Sequence, residues 1–243
     1  MSPLNGLLRR PRRSDVEEVP ARGDVLQLAS LLLTYPDDEL LDARGELVAA
    51  VAALPRSTAS DCLSDFMDWF AMVSRAAAQK HYVEVFDLRR KSSLYLTYYL
   101  HGDTRKRGMA LLTLKQRYRA AGLSLGDEEL PDFLPVVLEF AARGGVGTGE
   151  APLRQHRQGV EVIGAALRDA GSPYARVLDA VSVVLGALTE AERAEVERLA
   201  QEGPPAEDVE LEPYGPMSVM GNGLVTALGS EHGPVEDERE VRA

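Results

Sequence analysis

The side chains best suited to move a proton or hold a metal near neutral pH are four histidines, His81, His101, His156 and His232, and one cysteine, Cys62. Their spacings, with each other and with Cys62, match no metal-ligand pattern, so structural or surface roles are expected for each. Ser92-Ser93 falls inside a helical pattern without the Gly-x-Ser-x-Gly elbow that would expose a nucleophile. The run from Gly144 to Gly149 shares only its glycine content with a phosphate-cradling loop. It lacks the Lys-Ser/Thr ending and follows a helix where such a loop should follow a strand, so it reads as a linker. Asp87 and Arg90 stand three residues apart and are expected to pair, while Glu84, Asp87 and Lys91 read as a solvated face. No catalytic site can be assembled from these residues, and neither an enzymatic role nor a cofactor is expected. What stands out instead is the stretch 82–140, which gathers most of the tyrosines, clustered cations and a Pro-Asp corner on helical segments. That combination suits a surface that grips another chain.

Those residues must be positioned by helices. From Asp24, a plausible N-cap, Val25, Leu28, Ala29, Leu32 and Leu33 recur at three- and four-residue spacing up to Pro36. A second helix is expected from Asp37–Asp38 to Leu54, ahead of Pro55, and a third from Ser57–Ser60 with Leu63, Phe66, Met67, Phe70 and Val73 on one face. A fourth, aromatic helix should span about 80–100. His101-Gly102-Asp103 then stops and restarts the chain, with Gly102 in a left-handed position and Asp103 capping the next helix. That fifth helix, over 104–121, would bring Met109, Leu112, Leu114 and Tyr118 together. Asp127 is placed to cap one short turn before Pro131. Further helices are expected at 132–142, 151–170, 173–188 and 189–202, with no period-2 strand and no repeat. The fold class is therefore all-α: one domain of about nine helices over 23–202, with disordered arms at 1–22 and 203–243.

Bulk properties narrow the function classes. A chain of 243 residues that is 45% hydrophobic but only 6% aromatic can bury one substantial core and favours helix. A single cysteine leaves no internal disulfide and suits a reducing compartment. No apolar run approaches the roughly 20 residues of a membrane span, so no membrane insertion is expected. Arg9, Arg10, Arg12 and Arg13 are followed by Ser14, Asp15, Glu17 and Glu18 rather than by an apolar segment, which reads as a solvated arm and points to the cytoplasm. The net charge of −11 makes nucleic acid a poor partner.

With these residues laid out, the chain resembles the NarJ family of respiratory nitrate reductase assembly chaperones, within the TorD/DmsD group of redox enzyme maturation proteins. The resemblance rests on YVEVFDLRRKSSLYLTYYLHGDTRKRGMALL (82–112), on ELPDFLPVVLEFAA (129–142) and on the helix end Leu31-Leu32-Leu33-Thr34-Tyr35-Pro36-Asp37. It covers about 24–200. It implies a TorD-like helical chaperone that binds the N-terminus of the catalytic alpha subunit, alone or within an alpha–beta complex. The chaperone would hold that subunit for molybdenum cofactor and iron–sulfur insertion before membrane docking. The wider group carries Glu-Pro-x-Asp-His where this chain has Glu129-Leu130-Pro131-Asp132-Phe133, so no His-dependent role transfers.

A client peptide with apolar anchors and basic residues needs an aromatic groove with carboxylates. Candidate groove residues are Tyr82, Phe86, Tyr95, Tyr98, Tyr99 and Phe133, with Asp87, Glu129, Asp132 and Glu139 as anionic partners and Pro131 and Pro135 fixing the corner. Asp132 is the strongest single candidate, although it could equally cap a helix. Tyrosines at this spacing also suit a core. The cations Arg89, Arg90, Lys91, Arg105, Lys106 and Arg107 are read first as stabilising the helix junction and second as meeting an acidic client surface. The competing functional reading is a helical adaptor for a different molybdoenzyme or a non-redox client.

Overall fold

The computed structural model describes residues 19–126 and 129–203. Among them the chain forms twelve α-helices and no strand. In order these are α1 (Arg22–Leu32), α2 (Asp38–Asp42), α3 (Arg44–Ala52), α4 (Thr58–Met72), α5 (Arg75–Tyr82), α6 (Leu96–His101), α7 (Arg105–Ala120), α8 (Leu134–Gly144), α9 (Ala151–Gln155), α10 (Arg157–Asp169), α11 (Tyr174–Leu185) and α12 (Glu190–Glu202). The all-α expectation holds. The count rises above nine chiefly because three segments read as continuous are each interrupted. Most of the expected arms, 1–18 and 204–243, and Asp127 lie outside the described residues.

The core forms around α1, α4, α8, α10 and α11, whose apolar stripes are almost wholly buried. α1 lies along α8, where Gly23 approaches the Ala142 carbonyl closely and Ser30 Oγ donates a buried 2.7 Å hydrogen bond to Pro135 O. α4 lies against α11, and Tyr174 at the start of α11 sits fully enclosed among Phe66, Trp69, His81, Tyr82 and Phe86, with ring centroids 5.0–6.0 Å away. Such rings add about 0.5–1.5 kcal/mol per pair beyond their buried area. Ser57 caps α4 in a reciprocal capping box with Ser60. Asp24 does not cap α1: the cap is Ala21, and Asp24 lies in the first turn, where its charge favours the positive helix end.

The expected fourth helix breaks. α5 stops at Tyr82, a π-helical turn covers Val83–Asp87, a 3-10 turn covers Arg90–Ser92, and helix resumes only at Leu96. Ser92, buried, donates its hydroxyl to the Val85 carbonyl and so secures a backbone acceptor inside the irregular segment. Ser92 is thus structural. The expected Asp87–Arg90 pair is absent among the described residues, because the break separates them; Glu84 instead pairs with Lys80 at 3.6 Å. Gly102 adopts φ 55°, but Asp103 does not cap α7; it pairs with Arg107 at 3.1 Å, and the cap position is Thr104. On α7 only Leu114 and Tyr118 are buried, while Met109 and Leu112 face outward. Beyond α8 the glycine run forms an ordered tight turn. A Cβ on Gly144 would lie 2.6 Å from Gly149 Cα, so these positions need glycine for close backbone approach.

Two buried ionisable groups set the pH response. Glu150 starts α9 and is held by Arg22 of α1 (3.0 Å) and Arg154 (2.7 Å). Burial pushes its carboxyl up, yet the two guanidiniums outweigh that and hold it below the usual range. His156 is buried, and desolvation, with help from His101 and Arg117, lowers its pKa to about 4.

The Glu150 cluster contributes its full stability above the ordinary carboxyl range and loses it as pH falls through the lowered value. His156 stays neutral in the fold, so the unfolded chain takes up the extra proton and stability falls as pH drops from 6.5 towards about 4. In urea unfolding across pH, Glu150→Gln should flatten the lower limb and His156→Leu the upper one. Gly159 carries no Cβ where α10 meets α6, since one would sit 3.3 Å from Leu96 and Tyr99. Gly159→Leu should therefore cost about 1–3 kcal/mol of unfolding free energy by overpacking.

Candidate peptide groove

The centre of the site is the corner that carries Pro131, Asp132 and Phe133. Its backbone pairs with the segment before α6: Leu96 N donates to Asp132 O (3.0 Å), Leu134 N donates to Leu94 O (2.8 Å), and Tyr95 and Phe133 form an isolated antiparallel bridge. Asp132 is fully buried. Its Oδ2 accepts from Thr97 N (3.2 Å) and Thr97 Oγ1 (2.5 Å), and lies 3.6 Å from Arg107 Nη2. Thr97 is in the first turn of α6, so Asp132 caps that helix from thirty-five residues away. Tyr118 completes the clamp, donating its hydroxyl to Pro131 O at 2.7 Å.

Beside this clamp runs an open groove of about 1000 Å³. One side comes from the end of α1 and the following loop, with Leu31, Tyr35 and Asp37; another from α2 and α3, with Glu39, Leu40 and Glu46; and the floor from Tyr82, Phe86, Leu94, Tyr95 and Phe133. Tyr35 is 45% exposed and stands edge-on to Tyr82 at 5.5 Å. The Tyr82 hydroxyl donates to Leu33 O at 3.0 Å, joining the floor to α1. Tyr95 and Phe133 pack at 5.6 Å. Around this apolar lining stand Glu39, Glu46, Asp87 and Glu129. None of these four carboxylates pairs with a cation among the described residues, and the groove is lined by no Lys or Arg.

Six of the twelve candidate residues therefore share one groove: Tyr82, Phe86, Asp87, Tyr95, Glu129 and Phe133. The other six do not line it. Asp132, Pro131 and Pro135 are enclosed and hold its frame, so Asp132 shapes the groove without an atom to offer a bound chain. Tyr98 and the buried Tyr99 line a second groove, formed with α10 and α12, and Glu139 pairs with Arg143 beside a small separate pocket. The break between Tyr82 and Leu96 causes this division, since it turns α6 away from the helix expected to carry all the tyrosines. Sequence reasoning missed Leu31, Tyr35, Glu39 and Glu46. A signal was present for two of them: Leu31 and Tyr35 fall outside the buried stripe of α1.

The chain matches the sequence profile of the family described as nitrate reductase delta subunit over residues 38–180. It belongs to that family. It is 33% identical to the probable nitrate reductase molybdenum cofactor assembly chaperone NarJ of Bacillus subtilis over 159 residues, which cover 65% of this chain and 85% of that one. It is 34% identical to the nitrate reductase molybdenum cofactor assembly chaperone NarJ of Escherichia coli K12 over 157 residues, covering 63% and 66% respectively. The nitrate reductase-like protein NarX of Mycobacterium tuberculosis H37Rv is 39% identical over 171 residues, and the match spans 69% of this chain but 26% of NarX. A crystal structure of a putative redox enzyme maturation protein from Archaeoglobus fulgidus superposes with a TM-score of 0.50 at 21% identity, covering 80% of this chain and 98% of that one, and shows the shared fold. Among the described residues no group of His, Cys, Asp or Glu is arranged to hold a metal ion, and no helix is long and apolar enough to cross a membrane.

Removing the Asp132 carboxylate leaves the Thr97 amide and hydroxyl and the Arg107 guanidinium without their shared acceptor. Asp132→Ala should lower stability by about 1–3 kcal/mol. A double-mutant cycle with Thr97→Val should give a coupling of at least about 0.5 kcal/mol, measured by chemical unfolding.

Proposed function

We propose that this protein is an assembly chaperone for a respiratory nitrate reductase, and that the groove between α1, α3 and the Tyr95–Phe133 bridge binds the N-terminal segment of the catalytic alpha subunit. The observation that carries the reading is the groove itself: an apolar, aromatic-floored trough whose unpaired charges are all negative. Thirteen of the eighteen residues that line it fall within the span that matches the family profile, and the B. subtilis and E. coli relatives are named as nitrate reductase chaperones.

The physical logic is that of a holding site. Tyr35, Tyr95 and Phe133 offer aromatic contact area with few rotatable bonds, so ordering them on binding costs little. The carboxylates favour a peptide that carries Lys or Arg beside its apolar anchors and disfavour an acidic one. The lining holds no histidine, cysteine or lysine beside its carboxylates, a composition that suits a protein that binds a client and acts by keeping it. The alpha subunit, alone or with its beta partner, would be held until the molybdenum cofactor and iron–sulfur clusters are in place, and released before docking at the membrane. The protein itself would work as a non-enzyme in the cytoplasm.

Calorimetry with a synthetic peptide of the first twenty or so residues of the alpha subunit from the same genome tests this. Binding should be direct, and Tyr35→Ala or Phe133→Ala should each raise Kd about tenfold or more. Glu46→Lys should weaken binding further at low salt than at high salt. Tyr98→Ala, which alters no residue lining this groove, should leave Kd unchanged within about twofold. Absence of heat and of saturable binding for that peptide would overturn the proposal.

A further inference from the structure

A second groove, of about 770 Å³, is lined by Tyr98 and Tyr99 of α6 and shares no lining residue with the peptide groove. Its floor is apolar, formed by Val162 and Ala166 of α10 and by Leu199 of α12, and one end is walled by Arg89, Arg90 and Lys91 from the irregular segment after the π-helical turn. All three cations are exposed, and none is paired with a carboxylate among the described residues. Other cations, such as Arg56, Lys115, Arg119 and Arg193, also have no carboxylate partner among the described residues, but Arg89, Arg90 and Lys91 are consecutive and all three line one groove. Two acids reach the same groove. Asp103 is already bound to Arg107, and Asp169 stands on the rim.

In a protein of net charge −11, three adjacent unpaired cations repel one another and gain nothing from local partners. They are complementary to a negatively charged ligand, and the apolar floor beside them is complementary to aliphatic or aromatic side chains. The open form of the trough and its alanine-rich walls suit a length of polypeptide. We propose that this groove is a second docking surface, and that its occupant is an acidic segment of a partner polypeptide carrying one or two apolar side chains. The two grooves then have opposite charge preferences. The peptide groove takes a basic segment, and this one takes an acidic segment, so the protein can hold two parts of a partner at once without competition between them.

The inference does not depend on the identity of the client, and the test keeps the two readings apart. The probe is a synthetic acidic nonapeptide, Glu-Glu-Leu-Glu-Glu-Phe-Glu-Glu-Glu, with a Lys-for-Glu counterpart as control. Carbodiimide coupling, which joins a carboxylate to an amine, should link the acidic peptide to Lys91 in the full chain in preference to Lys80, Lys106 and Lys115. The triple variant Arg89→Ala/Arg90→Ala/Lys91→Ala replaces only exposed side chains. In calorimetry it should weaken binding of the acidic peptide at least about tenfold, while raising salt from about 50 to about 300 mM weakens wild-type binding similarly. The alpha-subunit peptide should bind this variant as it binds the wild type; loss of that binding alone would count against the first groove, not this one.

Equal binding of the acidic peptide by the triple variant overturns the proposal. So does even coupling across the four lysines, or displacement by inorganic phosphate at matched ionic strength, which would mark a simple anion site. Uptake seen only in a chain shortened to Gly203 also overturns it, by showing that the protein's own C-terminal residues are the occupant.

Discussion

A carboxylate closed off from solvent is costly unless it is hydrogen-bonded, and in Asp132 one oxygen, Oδ2, takes all the bonds while the buried Oδ1 takes none among the described residues, so the contacts of Oδ2 must hold the acid in place. The loop that carries it and the helix that it caps are far apart in the chain, so neither can settle until the other is in place. The Thr97 amide and hydroxyl bind the carboxylate, and the Tyr95–Phe133 bridge aligns the two backbones beside it. Arg107 brings α7 to the same point, and it also stacks on Tyr95 and Tyr98 at 5.9 and 6.0 Å. Both grooves are bounded by α6 or by the segment leading into it. The position of that short helix, and hence the division of the aromatic residues between two faces, follows from one buried acid.

This explains which elements could be read in the sequence and which could not. Apolar spacing located α1, α4, α8 and α11 closely, because each buries one continuous stripe and local periodicity reports it, whereas α7 and α12, which bury only two residues and one, were bounded by the turn and capping residues at their ends. The segment 83–95 was opaque. Its composition favours helix, but hydrogen bonds from Ser92 to Val85 and from the Pro-Asp corner to Leu94–Leu96 are tertiary, and they override local preference. Asp132 stands out in its Pro-Asp-Phe setting either as an anionic partner or as a cap of the helix that follows it, and in the fold it caps a different helix, α6. Residue type and neighbours single out an acid that matters; only the fold tells whether it faces a ligand or a helix end.

The same limit separates the parts of the groove that were foreseen from those that were not. Tyr82, Phe86 and Phe133 announced themselves as aromatics in a dense block. Glu39 and Glu46 belong to ordinary acidic helix surfaces, and their meaning comes from facing that block across a trough. Charge on a helix is usually solvated and silent. It becomes specific when an apolar surface opposite gives a ligand reason to stay.

Both sides of the peptide groove are seated on the body of the protein. α1 is fastened at both ends, by Arg22 on Glu150 and the Val184 carbonyl and by the Tyr82 hydroxyl on Leu33 O. α2 and α3 are short helices of five and nine residues, but Leu41, Leu47 and Val51 sink into the core and Arg44 donates to Val73 O. A trough with both edges anchored in this way presents one fixed outline, so the adjustment on binding falls to the entering chain, which must adopt the shape that the mould already has.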